Sequence, residues 1–203
     1  MSAGDTLTSV CTTALFHLGA APLSSYASPR TPLEKQIVAQ YQTVLNGELR
    51  KRAWTFAIAR TAFTDAASDA QPPNFNTWPL PADCLRVLRE HKGSQFNFQP
   101  TWWVEGRSVC DFKAKAPIIR YISNAVTPDV YDPSFVEAFT LKLAFRCCEY
   151  ATQSSQKKND LISDYSAAIV EASKQNAWEK PEGTTHAPDE AFSWLRDRDI
   201  YLA

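Results

Sequence analysis

The sequence predicts an α+β protein: a helical bundle built from both chain ends, with an inserted small antiparallel β lobe and an extended C-terminal tail. Three observations predict this fold class. Hydrophobic residues recur at helical spacing in residues 5–52 and again in 132–179. Between them, short runs of β-forming residues alternate with turn residues. The stretch EKPEGTTHAP then separates a final apolar segment from the rest, as a linker does.

Two helices are expected at the start of the chain. The first covers residues 5–18, with Asp5 as its N-cap and Gly19 at its end. The second covers 31–52 and begins with the N-cap and first-turn pair Thr31-Pro32. Its predicted buried face consists of Leu33, Ile37, Tyr41, Val44, Leu45 and Leu49.

The β lobe is expected between these helices and the C-terminal half of the bundle. Residues 53–64 alternate large and small side chains, which favours a strand, and residues 65–76 have the composition of a loop. Short candidate strands follow at 84–91, 95–98, 101–106, 108–112 and 117–123.

Aromatic side chains cluster on this lobe. Such a cluster is typical of a lobe core or of an interface with a neighbouring subunit or a further protein. Stacking of sugars or bases is the alternative. The residues concerned are Phe96, Phe98, Trp102 and Trp103.

Two more helices are expected after the lobe, over residues 132–153 and 159–179. Asp132 is the expected N-cap of the first, which is apolar around nearly its whole circumference and is therefore predicted to be the central core helix. The resulting division of the chain is a bundle of residues 1–52 and 124–180, a lobe of residues 53–123 and a tail of residues 181–203.

Charge and cysteine content narrow the class of protein. The chain has 21 Lys and Arg residues and 22 Asp and Glu residues. This near-neutral balance argues against a protein whose main function is to bind nucleic acid. The densest basic stretch, ELRKR at 48–52, is predicted to be a solvated helix end, although a nucleic-acid module using Arg50, Lys51 and Arg52 stays a third hypothesis. The five cysteines lack metal spacing and are expected to be buried, reduced thiols.

Neither a signal peptide nor a membrane span is expected, because the chain has no basic start followed by an apolar run and no stretch of about 18 apolar residues. The sequence contains no recognised catalytic pattern: the three histidines lie far apart, and neither a GxSxG motif nor a glycine-rich loop is present. The expectation is a protein without enzymatic activity, with no catalytic residue, no cofactor and no metal. Carboxylate pairs need no fixed spacing, so a peptidoglycan hydrolase is the alternative.

Several segments, taken together, resemble one known family. They are ALFHLGAAPLSS, LRKRAWTFAIAR, WPLPADCLRVLRE, WWVEGRSVCDF and PIIRYISNAVTPDVYDPSFVEAFTLKLAFRCCEYAT, followed by the pattern Lys158, Leu161 and Tyr165. In this order and spacing, over residues 7 to 180, the chain is similar to the tail tubular protein A family, the head-to-tail adaptor or gatekeeper proteins of short-tailed phages. The segment FTLKLAFRCCEY departs from the family in being bulkier, which concerns packing.

The resemblance implies a structural virion protein in the phage tail, assembled in the host cytoplasm. Its expected partners are the portal protein, the tail nozzle protein and further copies of itself in a ring of twelve subunits. DNA passes transiently through the channel that the ring extends, and no membrane is involved. The β lobe of such proteins faces the nozzle.

The tail closes the chain with DEAFSWLRDRDIYLA. A helix of about a dozen residues is marginal in water, so a segment of this kind is expected to become ordered on a partner. Folding back onto its own bundle is the alternative. The residues predicted to bind the portal or a neighbouring subunit are Phe192, Trp194, Leu195, Arg196, Arg198 and Tyr201.

Overall fold

A computed structural model describes residues 3–63, 76–88, 102–112 and 117–179. Within them, four helices and six strands form an α+β fold, which confirms the predicted class. The helices are α1 (Ala3–His17), α2 (Pro32–Lys51), α3 (Pro133–Thr152) and α4 (Ser155–Trp178). The strands are β1 (Ile58–Ala62), β2 (Asn76–Pro79), β3 (Cys84–Leu88), β4 (Trp103–Glu105), β5 (Ser108–Asp111) and β6 (Ile118–Ser123). The predicted strand at 95–98 and the tail lie outside the described residues.

The helix ends follow local capping chemistry. The Thr31 hydroxyl accepts a hydrogen bond from the Glu34 backbone N–H at 3.2 Å, and the Asp132 carboxylate accepts one from the Ser134 N–H at 2.8 Å. Gly19, at φ +72°, lies just beyond the end of α1 in the left-handed conformation that favours glycine. These three predicted boundaries are confirmed.

Two predicted helix starts are wrong. Helix α1 already begins at Ala3, so Asp5 lies inside the helix and is not its N-cap. Helix α4 begins four residues before the predicted residue 159, because the Ser154 hydroxyl accepts a hydrogen bond from the Lys157 N–H at 3.3 Å and caps the helix there.

The strands form two antiparallel sheets of three strands each. The inner sheet has the order β1-β6-β3, and the outer sheet has the order β2-β5-β4. Strand β2 was not predicted, because its residues Asn-Thr-Trp-Pro include two weak strand formers. Its Trp78 is fully buried, and this tertiary burial outweighs the weak local preference.

The first half of the predicted strand at 53–64 is also wrong. Residues Thr55–Ala57 form a turn of 3₁₀ helix, and the strand begins only at Ile58. Trp54 explains the difference: its ring is fully buried 4.9 Å from that of Phe135, and its indole N–H donates to the backbone carbonyl of Glu48 at 3.2 Å. This segment therefore belongs to the core of the bundle and not to the lobe.

Two hydrophobic cores lie on opposite faces of the inner sheet. The larger core surrounds α3, as predicted for a central helix, and takes Ile122 from one face of β6. The smaller core takes Ile119 and Tyr121 from the other face of β6, together with Val109 of the outer sheet. The molecule is thus layered in the order helices, inner sheet, outer sheet.

Candidate interaction surfaces

The two tryptophans predicted as an interface on the lobe have different environments. Trp102 is partly buried against the smaller core. The ring of Trp103 lies 5.0 Å from that of Phe112, whose side chain is 67% exposed. Trp103, which is half-buried, and the exposed Phe112 form what we call the outer aromatic pair. Phe96 and Phe98 lie outside the described residues.

The junction between α4 and the tail carries an aromatic residue that the sequence reasoning did not select. Trp178, the last residue of α4, is 75% exposed. An indole is costly to leave in water, and tryptophan is the residue type most enriched at binding hot spots. Its position directly before the linker was the available signal. The six predicted tail residues, Phe192, Trp194, Leu195, Arg196, Arg198 and Tyr201, lie outside the described residues.

The end of α4 is fixed to the start of the lobe. The side-chain oxygen of Asn176 accepts from the Thr55 N–H at 2.8 Å, and its amide nitrogen donates to the Ala53 carbonyl at 3.0 Å. One residue beyond α4, the Glu179 carboxylate accepts from the Thr55 hydroxyl at 2.5 Å. The tail consequently leaves the body beside the segment that leads into β1.

A buried carboxylate joins α2 to α4. Glu48 is only 2% exposed and accepts from the Tyr165 hydroxyl at 2.7 Å and from the Lys51 ammonium at 2.7 Å. Burial, followed by this hydrogen bond to Glu48, raises the pKa of Tyr165, so the phenol stays neutral and remains a donor. The Lys142 ammonium lies 4.6 Å from the centre of the Tyr165 ring. Burial lowers the pKa of Lys142. The cluster brings together three helices, because Lys142 lies on α3.

The basic stretch 48–52 is more than the solvated helix end that was predicted. The Arg50 guanidinium donates to the Leu85 carbonyl of β3 at 2.6 Å, so it fastens the bundle to the inner sheet. Lys51 pairs with Glu48. Two of the three side chains considered for a nucleic-acid module therefore have partners within the protein.

The cysteines are free and buried, as predicted. Burial raises the pKa of Cys11 to about 12 and that of Cys147 to about 11, and the nearness of Cys147 adds to the shift of Cys11. These thiols are protonated at neutral pH and are poor nucleophiles and poor metal ligands. In the described ranges, no group of three or more His, Cys, Asp or Glu side chains could hold a metal ion.

Comparison with known proteins leaves the family open: no protein-family model matches the chain, and no curated protein matches it either. Of the helices in the described ranges, none is long and apolar enough to cross a membrane.

Proposed function

We propose that this chain is a structural assembly protein, a head-to-tail adaptor of a short-tailed phage that forms a ring below the portal. In this role it extends the DNA channel and connects to the tail nozzle. The observation that carries the proposal is the ordered series of segments over residues 7 to 180 that resembles the tail tubular protein A family. The α+β fold, with helices on one side and small antiparallel sheets on the other, is of the kind that this resemblance implies.

An adaptor needs at least two contact surfaces, and the described residues offer two that differ in position and chemistry. The outer aromatic pair, Trp103 and Phe112, lies on the outer sheet. Trp178 lies at the end of α4, in the helical layer, where the tail begins. We assign the outer aromatic pair to the nozzle side, and Trp178 with the tail to the portal or a neighbouring subunit.

Side chains distant in sequence tie together the body between these surfaces. Asn176 bonds to the backbone at both Ala53 and Thr55, and Arg50 bonds to the β3 backbone. Each of these side chains links a helix to the lobe or to the segment entering it. A rigid body with exposed aromatic residues at its helical and outer-sheet layers suits a protein that acts through surface complementarity.

Electron microscopy of the purified chain mixed with the portal ring of its own phage tests the proposal. The expected result is an added ring of density on one face of the portal. A Trp178→Ala variant should weaken that attachment, whereas Tyr150→Ala, which removes a 57% exposed aromatic side chain from α3, should not. Portal rings that stay bare at saturating concentrations of the chain would refute the proposal, and so would clearing of a peptidoglycan gel by the chain alone.

A further inference from the structure

Three arginines lie together on one face of the inner sheet. Arg60 of β1 is the direct cross-strand partner of Arg120 of β6. Arg86 of β3 is the partner of Ile122, two residues along the same face of β6. Directly opposed side chains in an antiparallel pair lie about 5 Å apart at Cβ, and diagonal ones about 7–8 Å apart. We call Arg60, Arg86 and Arg120 the arginine face.

These guanidiniums have no counter-charge in the described part of the chain. None of the three is in an ion pair there. The Nε atoms of Arg86 and Arg120 are buried and have no hydrogen-bond partner. Like charges placed directly opposite each other on a sheet destabilise it, and a buried donor without an acceptor costs about 1–3 kcal/mol. The arrangement is therefore unfavourable for folding alone, which points to an anionic ligand.

The surroundings of the arginine face indicate the kind of anion. The other residues in register on this face are all apolar: Ile122 is buried in the larger core, whereas Ile118, at the opposite end of β6, is 65% exposed. Nucleic-acid interfaces are polar and strongly basic throughout, unlike this one. Arginine beside exposed apolar side chains fits a peptide that carries both carboxylates and large apolar residues.

One segment of this chain has that composition, and only a short stretch of chain separates it from the described residues. Residues 189–203 contain the carboxylates Asp189, Glu190, Asp197 and Asp199 against two arginines, interleaved with large apolar side chains. The last described residue, Glu179, is hydrogen-bonded to Thr55, five residues before Arg60. The nine residues 180–188 can span about 30 Å when extended, so Asp189 can reach the arginine face.

We propose that the arginine face binds the carboxylates of the C-terminal segment 189–203 of the same chain. Guanidinium–carboxylate contacts supply the missing counter-charge, and the apolar residues of the segment cover Ile118 and its neighbours. The tether keeps the segment at a high effective concentration near the face. This contact belongs to the free subunit and does not depend on the proposed adaptor role.

Hydrogen–deuterium exchange of the full-length chain, read by mass spectrometry over residues 189–203, tests the contact. We expect the segment to exchange about five- to tenfold faster in an Arg60→Gln/Arg120→Gln variant than in the wild type. The control is Arg146→Gln, which removes one positive charge from an exposed position on α3 and should change nothing. High salt screens guanidinium–carboxylate contacts, so in the wild type it should raise the exchange rate of residues 189–203 to the rate measured in the arginine variant. This test needs no substitution.

A second variant separates the possible occupants. Neutralising all four carboxylates of the segment should raise its exchange rate as much as the arginine substitutions do. A variant that carries the carboxylate and the arginine substitutions together should exchange no faster than either variant alone. Equal exchange in the wild type and both variants would overturn the proposal. Protection that rises with protein concentration would also overturn it, in favour of the segment of a second copy. Salt-sensitive binding of duplex DNA that needs Arg120 would overturn it in favour of a nucleic acid.

Discussion

Replacing Tyr165 with phenylalanine removes one hydroxyl and tests how α2 and α4 are joined. That hydroxyl donates to Glu48 at 2.7 Å, and the Glu48 side chain is only 3% exposed, so water cannot readily take the place of the lost donor. A hydrogen bond to a charged group contributes about 1.5–3 kcal/mol. We therefore expect the free energy of unfolding to fall by about 2 kcal/mol, which corresponds to a melting temperature lower by about 4–8 °C for a chain of this size.

Urea denaturation followed by circular dichroism measures this loss, and the slope of the transition should stay unchanged. Tyr150→Phe is the control, because Tyr150 is 57% exposed on α3, and its effect should stay within about 0.5 kcal/mol. In a Glu48→Gln background, the cost of Tyr165→Phe should shrink by about 1 kcal/mol, since the acceptor is no longer charged. A loss below about 0.5 kcal/mol in the native background, or the same loss in both backgrounds, would refute the reasoning.

Three further outcomes are expected. Asn176→Ala leaves two backbone groups without their partner and should cost about 2 kcal/mol of unfolding free energy; a loss near zero would contradict the anchoring role. The backbone N–H of Arg30 lowers the pKa of Glu34 from its ordinary value, so the stability that this contact gives is present above the ordinary carboxyl pKa and is lost as the pH falls through the lowered value; Glu34→Gln should therefore flatten the acid limb of a pH–stability curve. Truncation after Lys180 should leave the thermal transition of the body intact but abolish portal attachment, which a docking experiment with the truncated chain checks directly.

The parts of the fold that local chemistry determines were predictable from the sequence. The caps at Thr31 and Asp132, and the glycine that ends α1, are set by residues within one helical turn. The central place of α3 followed from apolar residues around its circumference, of which Phe135 and Phe139 are fully buried.

The parts that tertiary contacts determine were not predictable. Trp54 alternates with small neighbours as strand residues do, yet it is buried in the bundle core. Trp78 is buried as well, but it lies on a strand whose local preference is weak. Their environments depend on partners distant in sequence, such as Phe135 for Trp54.

The candidate surfaces divide in the same way. An aromatic contact region on the lobe was expected, but the sequence does not distinguish the adjacent Trp102 and Trp103. In the structure, Trp102 packs against the smaller core, whereas Trp103 belongs to the outer aromatic pair. The arginine face was missed because its members lie on three strands, and only the register of the inner sheet brings them together.

Mass measurement of the native protein, alone and mixed with the portal ring of its phage, tests the adaptor role most directly. The account predicts a portal complex heavier by twelve copies of the 22.7 kDa chain, the stoichiometry that the resemblance implies. It also predicts that the complex fails to gain this mass when the chain is truncated after Lys180. A portal ring whose mass is unchanged at saturating concentrations of the intact chain would contradict the account.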